Sequence, residues 1–189
     1  MADDAMAKRG KGLEEEYFHR KEKELIEKLR KKREAEAQMK ELAEASGIPN
    51  EDILKTLQEL GYTRDTVSLL HLAPLVSVAW AHNKVSGPER EMILEAARLH
   101  GVAEDSAGYQ QLNEWLTHRP SEEFLDQTLR VIGDLSGTES PEDKKIDRAK
   151  LLELSTRVAA ASGGILGLGS KISAEEQALL DRLAKQLGK

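Results

Sequence analysis

From Leu13 to Ala45 the chain contains neither glycine nor proline, and most positions are Glu, Lys, Arg, Leu or Ala. Those are strong helix formers, so the run is expected to be one long helix. Glu16/Arg20, Glu24/Lys28, Glu27/Lys31 and Glu36/Lys40 are spaced four apart with the acid first. Each such pair contributes about 0.2–0.5 kcal/mol to an isolated helix. The apolar positions are sparse: Leu13, Tyr17, Phe18, Leu25, Ile26, Leu29, Met39 and Leu42. Phe18, Leu25 and Leu29 share one narrow face, which is a thin seam for a partner and not the broad stripe of a core helix. Ser46-Gly47-Ile48-Pro49 ends the run, giving a charged N-terminal helix over 1–46 and a second part over 47–189.

The second part is much more apolar. Asn50 is placed to cap a short helix carrying Ile53, Leu54, Leu57 and Leu60 and stopped at Gly61. Thr63 or Asp65 opens a helix running to Trp80, in which Pro74 is expected to make a kink. Further helices are expected from Gly87 to His100 (with Met92, Ile93, Ala96, Ala97 and Leu99), around Leu112 and Trp115, from Ser121 to Leu135, and from Ile146 to Ala161. Ser173, with Glu176 three residues on, has the form of a capping box opening the last helix. Aromatics are only 4% of the chain, so the core must rest on Leu, Ile, Val and Ala, and alternating β-branched runs are rare. The fold class is therefore all-α.

A short internal echo runs through the second part. Val85-Ser86-Gly87-Pro88-Glu89 before Met92-Ile93 parallels Ile172-Ser173-Ala174-Glu175-Glu176 before Leu179-Leu180, each after an Ala-rich helix end. Two helix-loop-helix units packed face to face would account for it, and chance similarity of helix starts is the alternative.

Several function classes are disfavoured. The net charge of −6 argues against general attraction to nucleic acid. There is no cysteine, hence no disulfide framework, thiolate metal site or cysteine nucleophile, which fits a reducing, cytoplasmic setting. Met1 to Gly12 has no apolar core of a secretory signal, and the longest apolar stretch, Leu69 to Ala81, is too short to span a bilayer. Membrane contact is expected to be indirect at most. The Gly163–Lys171 stretch lacks the Gly-Lys-Ser/Thr order of a phosphate cradle and reads as a structural loop. His82 and Asn83, followed by Lys84, offer too few oxygen ligands for a hard cation, and no nucleophile or acid–base constellation converges. No catalytic residue, metal or cofactor is expected, and the chain reads as a binding protein and not as an enzyme.

Two family resemblances sharpen this reading. Lys8-Arg9, Glu14-Glu15, Tyr17-Phe18, Lys23-Glu24, Leu29 and Arg30-Lys31 resemble the inhibitory segment of the mitochondrial F-type ATPase inhibitor family. In that family a mostly helical segment wedges into a catalytic interface of the rotary ATPase and blocks hydrolysis. The resemblance makes Glu14, Glu15, Tyr17, Phe18 and Leu29 candidate partner contacts, and the seam adds Leu25. The alternative is a stress-response scaffold that uses this helix as a coiled-coil or membrane-surface arm, its mixed charges favouring self-association over lipid.

The rest, from Thr66 to Leu187, resembles the TerB-like family named for tellurite resistance. The matching residues are Leu75 to Ala81, Val85-Ser86 with Glu89, Ala161-Ser162-Gly163-Gly164, and Ile172 to Glu176. The resemblance implies an internally duplicated all-helical fold acting as an adaptor or stress-response module. Where the family has an Ala-Asp-Gly turn this chain has Ala81-His82-Asn83, without the carboxylate.

Overall fold

The computed structural model describes the backbone of residues 2–138, 148–162 and 172–187, and the side chains of residues 16–135, 149–161 and 172–186. These residues form eight α-helices and one 3₁₀ segment, with no strand among them. The chain divides into two compact units, residues 1–41 and 42–189.

The first unit is a single helix. α1 spans Ala2–Ser46, starting well before Leu13 and passing through Gly10 and Gly12. Its ion pairs are local and exposed. Glu27 meets Lys31 at 3.5 Å, as the four-residue spacing predicts, while Glu24 turns to Lys21 at 3.1 Å and Glu36 to Lys32 at 3.8 Å. A three-residue or reversed four-residue step brings side chains equally near, so spacing alone does not choose between such partners.

The second unit begins in the last turn of α1, where Leu42 is 1% exposed and belongs to the core. The helix stops after Ser46. α2 (Glu51–Glu59) is capped by the Asn50 side chain, which accepts from the backbone N–H groups of Asp52 and Ile53. The apolar run from Val67 is not one kinked helix. A 3₁₀ segment, Val67–Leu72, gives way to α3 (Ala73–Ala79), and Pro74 lies in the first turn of α3. A proline there removes a backbone donor that has no partner in the helix anyway, so it begins a helix and does not bend one.

All seven residues of α3 are buried. A helix apolar on every side must be surrounded, and α3 packs on α4 (Gly87–Leu99), α6 (Glu122–Thr138), α7 (Arg148–Ser162) and α8 (Ala174–Leu187). α5 (Ala107–Thr117) opens with Ser106 accepting from the Tyr109 N–H and packs on the 3₁₀ segment. α4 stops before Gly101, whose φ of 78° is a left-handed conformation that glycine adopts without a Cβ clash. Leu99 departs from expectation by being 80% exposed. The buried stripe is made of Glu89, Ile93, Ala96 and Ala97, and Leu99 falls roughly 105° from its mean direction at 100° per residue.

The α3–α4 and α7–α8 pairs contact each other through α3 with α7, α3 with α8 and α4 with α7. The echo between them is physical at the helix starts. Ser86 N–H donates to Glu89 Oε2 at 2.7 Å and Glu89 N–H to Ser86 Oγ at 3.4 Å. Ser173 and Glu176 repeat the exchange at 2.7 and 3.1 Å. Both are reciprocal capping boxes, and both carboxylates are buried, at 2% and 1% exposure.

Candidate partner-binding surface

On α1 the large apolar residues between Tyr17 and Leu29 are turned to solvent. Phe18 is 65% exposed, and Tyr17, Leu25, Ile26 and Leu29 are exposed as well. Steps of seven and four residues place Phe18, Leu25 and Leu29 within about 40° of one another around the helix axis. Ile26 widens that seam on one side and Tyr17 flanks it on the other. Glu14 and Glu15 lie on α1, but their side chains fall outside the described residues.

The two rings form a unit. Tyr17 and Phe18 meet edge to face, with centroids 5.9 Å apart and planes at 75°. The Arg20 guanidinium and the Lys21 ammonium sit 5.9 and 6.0 Å from the Tyr17 centroid, within range of a cation–π attraction. The result is an aromatic pair with a cationic rim. Rings are low-entropy anchors for a groove, and charges around them steer encounter more than they hold the complex.

Trp80, Trp115, Phe124 and Tyr62 are structural. Trp80 Nε1 donates to the Trp115 carbonyl at 2.7 Å. Trp115, Phe124 and Tyr62 cluster with centroids 5.3 to 6.1 Å apart. Burial pushes the Tyr62 phenol well above its ordinary range, against a smaller opposing effect of its contact with the Thr128 hydroxyl, so it stays protonated.

The turn at Ala81-His82-Asn83 holds an arrangement that local spacing does not reveal. His82 Nδ1 lies 3.6 Å from Glu176 Oε1 and its Nε2 lies 3.9 Å from Glu175 Oε2, so the first helix-loop-helix turn meets the start of α8. The echo between Glu89 and Glu176 was the one sequence signal that these two regions are related. Asn83 adopts a φ of 59°, which asparagine tolerates, and its Oδ1 accepts from Arg119 Nη1 at 2.7 Å. Among the described residues no group of three or more His, Asp or Glu side chains is placed to hold a metal ion, and no helix is long and apolar enough to cross a membrane. The Gly163–Lys171 loop lies outside the described residues.

Compared with protein-family models, with curated proteins and with solved structures, the chain matches none. Fold and surface together define an all-helical protein whose first helix carries exposed apolar residues and whose remaining helices form a bundle. The exposed seam has the character of an interface and names no partner.

Proposed function

We propose that this chain is a non-enzymatic regulatory binding protein whose N-terminal helix captures a partner protein. The observation that carries the reading is the exposure of Tyr17, Phe18, Leu25 and Leu29 on a helix otherwise covered in charge. Leaving such groups in water forgoes about 1.5–3 kcal/mol for each large side chain that could be buried. The partner the sequence favours is a rotary F-type ATPase, whose ATP hydrolysis the helix would inhibit, with Glu14 and Glu15 adding charged contacts. The bundle, read as a TerB-like domain, serves as anchor or regulator. The paired capping boxes and the contacts between the α3–α4 and α7–α8 pairs support that domain reading.

The test is ATP hydrolysis by the rotary ATPase of the same cell with the full chain added. Inhibition is expected, and it should be lost when Tyr17 and Phe18 are both replaced by Ala. Unchanged hydrolysis across about pH 6 to 8, where histidine charge varies, removes the inhibitor reading.

The seven- and four-residue spacing of Phe18, Leu25 and Leu29 also supports a second reading. In it the chain is a stress-response scaffold of tellurite-resistance type, with α1 pairing as a coiled coil. Concentration-dependent sedimentation that disappears with Leu25→Ala and Leu29→Ala favours that alternative; a strict monomer opposes it.

A further inference from the structure

A cavity of about 270 Å³ lies within the second unit, between the end of α1, the 3₁₀ segment, the C-terminal end of α4 and α6. Its polar lining is made of hydrogen-bond donors: Arg64, His71 and His100, with the hydroxyls of Ser46 and Ser68. Among the described residues no Asp or Glu lines it. That is an inversion of the chain as a whole, which carries 34 acids against 28 Lys and Arg. The remaining lining is aliphatic, chiefly Val67, Leu70 and Leu135.

The two imidazoles are arranged as a pair. His71 and His100 stack with centroids 5.8 Å apart and planes at 21°. Burial, with repulsion from the Lys150 ammonium, holds His100 below its ordinary value, so at neutral pH it donates one N–H without carrying charge. Arg64 then supplies the fixed positive charge. Its Nε is 3.7 Å from Asp65, a loose contact between two exposed groups that does not use up the guanidinium fork.

A half-apolar space with one permanent cation and further hydrogen-bond donors suits a monoanion with a hydrocarbon body. We propose that this cavity binds a small organic carboxylate bearing a ring or short aliphatic chain. The carboxylate meets Arg64, the His100 imidazole and the Ser68 hydroxyl, and the hydrocarbon lies on Val67, Leu70 and Leu135. The space equals about nine waters at their liquid volume, enough to take a ligand of roughly that number of heavy atoms. A bare phosphate would leave the aliphatic wall unused. The larger depression between α2, α6 and α8 offers no such selection, because Asp52, Asp134, Arg130 and Lys185 mix both signs there.

The full chain should be titrated by calorimetry with benzoate and hexanoate, and with benzamide and inorganic phosphate at matched ionic strength. Saturable binding of benzoate or hexanoate is expected, with benzamide and phosphate weaker by about tenfold or more. Arg64→Gln alters an exposed side chain and should weaken the carboxylate about tenfold while leaving the melting temperature of the free protein unchanged. The proposal is overturned if neither acid saturates by about 20 mM. Binding of benzamide or phosphate as tightly as the acids overturns it too, as does an affinity unchanged in Arg64→Gln. None of these readouts depends on the exposed Tyr17–Leu29 seam of α1 or on any ATPase.

Discussion

Trp80 and Trp115 are joined by a buried hydrogen bond, indole Nε1 to backbone carbonyl at 2.7 Å, that ties the end of α3 to α5. Trp80→Phe keeps a ring in place but leaves that carbonyl without its donor. An orphaned buried group costs about 1–3 kcal/mol, to which some lost packing adds. Urea denaturation should show a lower midpoint at an unchanged slope. An unaltered midpoint would mean the carbonyl finds another partner.

Gly133 offers a test that separates helix propensity from packing. A Cβ at this position in α6 would stand 2.6 Å from the backbone carbonyl oxygen of Gln186 in α8. Propensity alone would make Gly133→Ala stabilising by about 0.8–1.0 kcal/mol. Contact with a backbone atom of a packed helix reverses the sign, and a net loss of about 1–3 kcal/mol is expected. Gly87, with nothing within 4 Å of its would-be Cβ, is the control. Gly87→Ala should leave the thermal midpoint unchanged or raise it.

The two capping boxes predict a graded series. Ser86→Ala and Ser173→Ala each remove one cap acceptor and should cost about 1 kcal/mol. Glu89→Ala should cost more, because it empties a fully packed site and leaves the Ser86 N–H without its partner. Glu89→Gln, which retains an acceptor oxygen, should fall between. Chemical denaturation of the variants checks the order. Equal losses for Gln and Ala would mean that charge at the start of α4 outweighs the hydrogen bond.

His100 should make the protein acid-sensitive. Desolvation, and then Lys150, depress its affinity for a proton in the folded chain. The unfolded chain therefore takes up that proton at a higher pH. Its stabilising contribution is complete above the unfolded-state value and is lost as the pH falls through it. Denaturation midpoints measured between about pH 8 and 5 should drop, and His100→Gln should flatten the drop. Lys150→Gln should flatten it partially.

How much of this was legible depended on how far apart the interacting residues lie. Asn50, Ser173 with Glu176, and the stop at Gly101 could be read directly, because caps are three- or four-residue affairs. The seam of Phe18, Leu25 and Leu29 was equally plain from helical phase. The expected kink at Pro74 gives way to a helix start because a proline inside an apolar run looks the same in either role; the 3₁₀ segment before it decides. The approach of His82 to Glu175 and Glu176 joins residues more than ninety positions apart, and no local pattern encodes it. The Arg64, His71 and His100 cavity is likewise assembled from separate stretches: the end of α1, residues 64–71, His100 and Leu135.

The inward carboxylates of Glu89 and Glu176 also decide where this bundle is closed to negative ligands. The amino end of a helix ordinarily attracts phosphates and other anions to its free N–H groups and positive dipole. At α4 and α8 each berth is already taken by the protein's own acid, buried and hydrogen-bonded. A nucleotide or phosphate seeking either helix start would first have to evict a resident charge. An anion held by this bundle would have to be met by side-chain donors and not by these two helix starts.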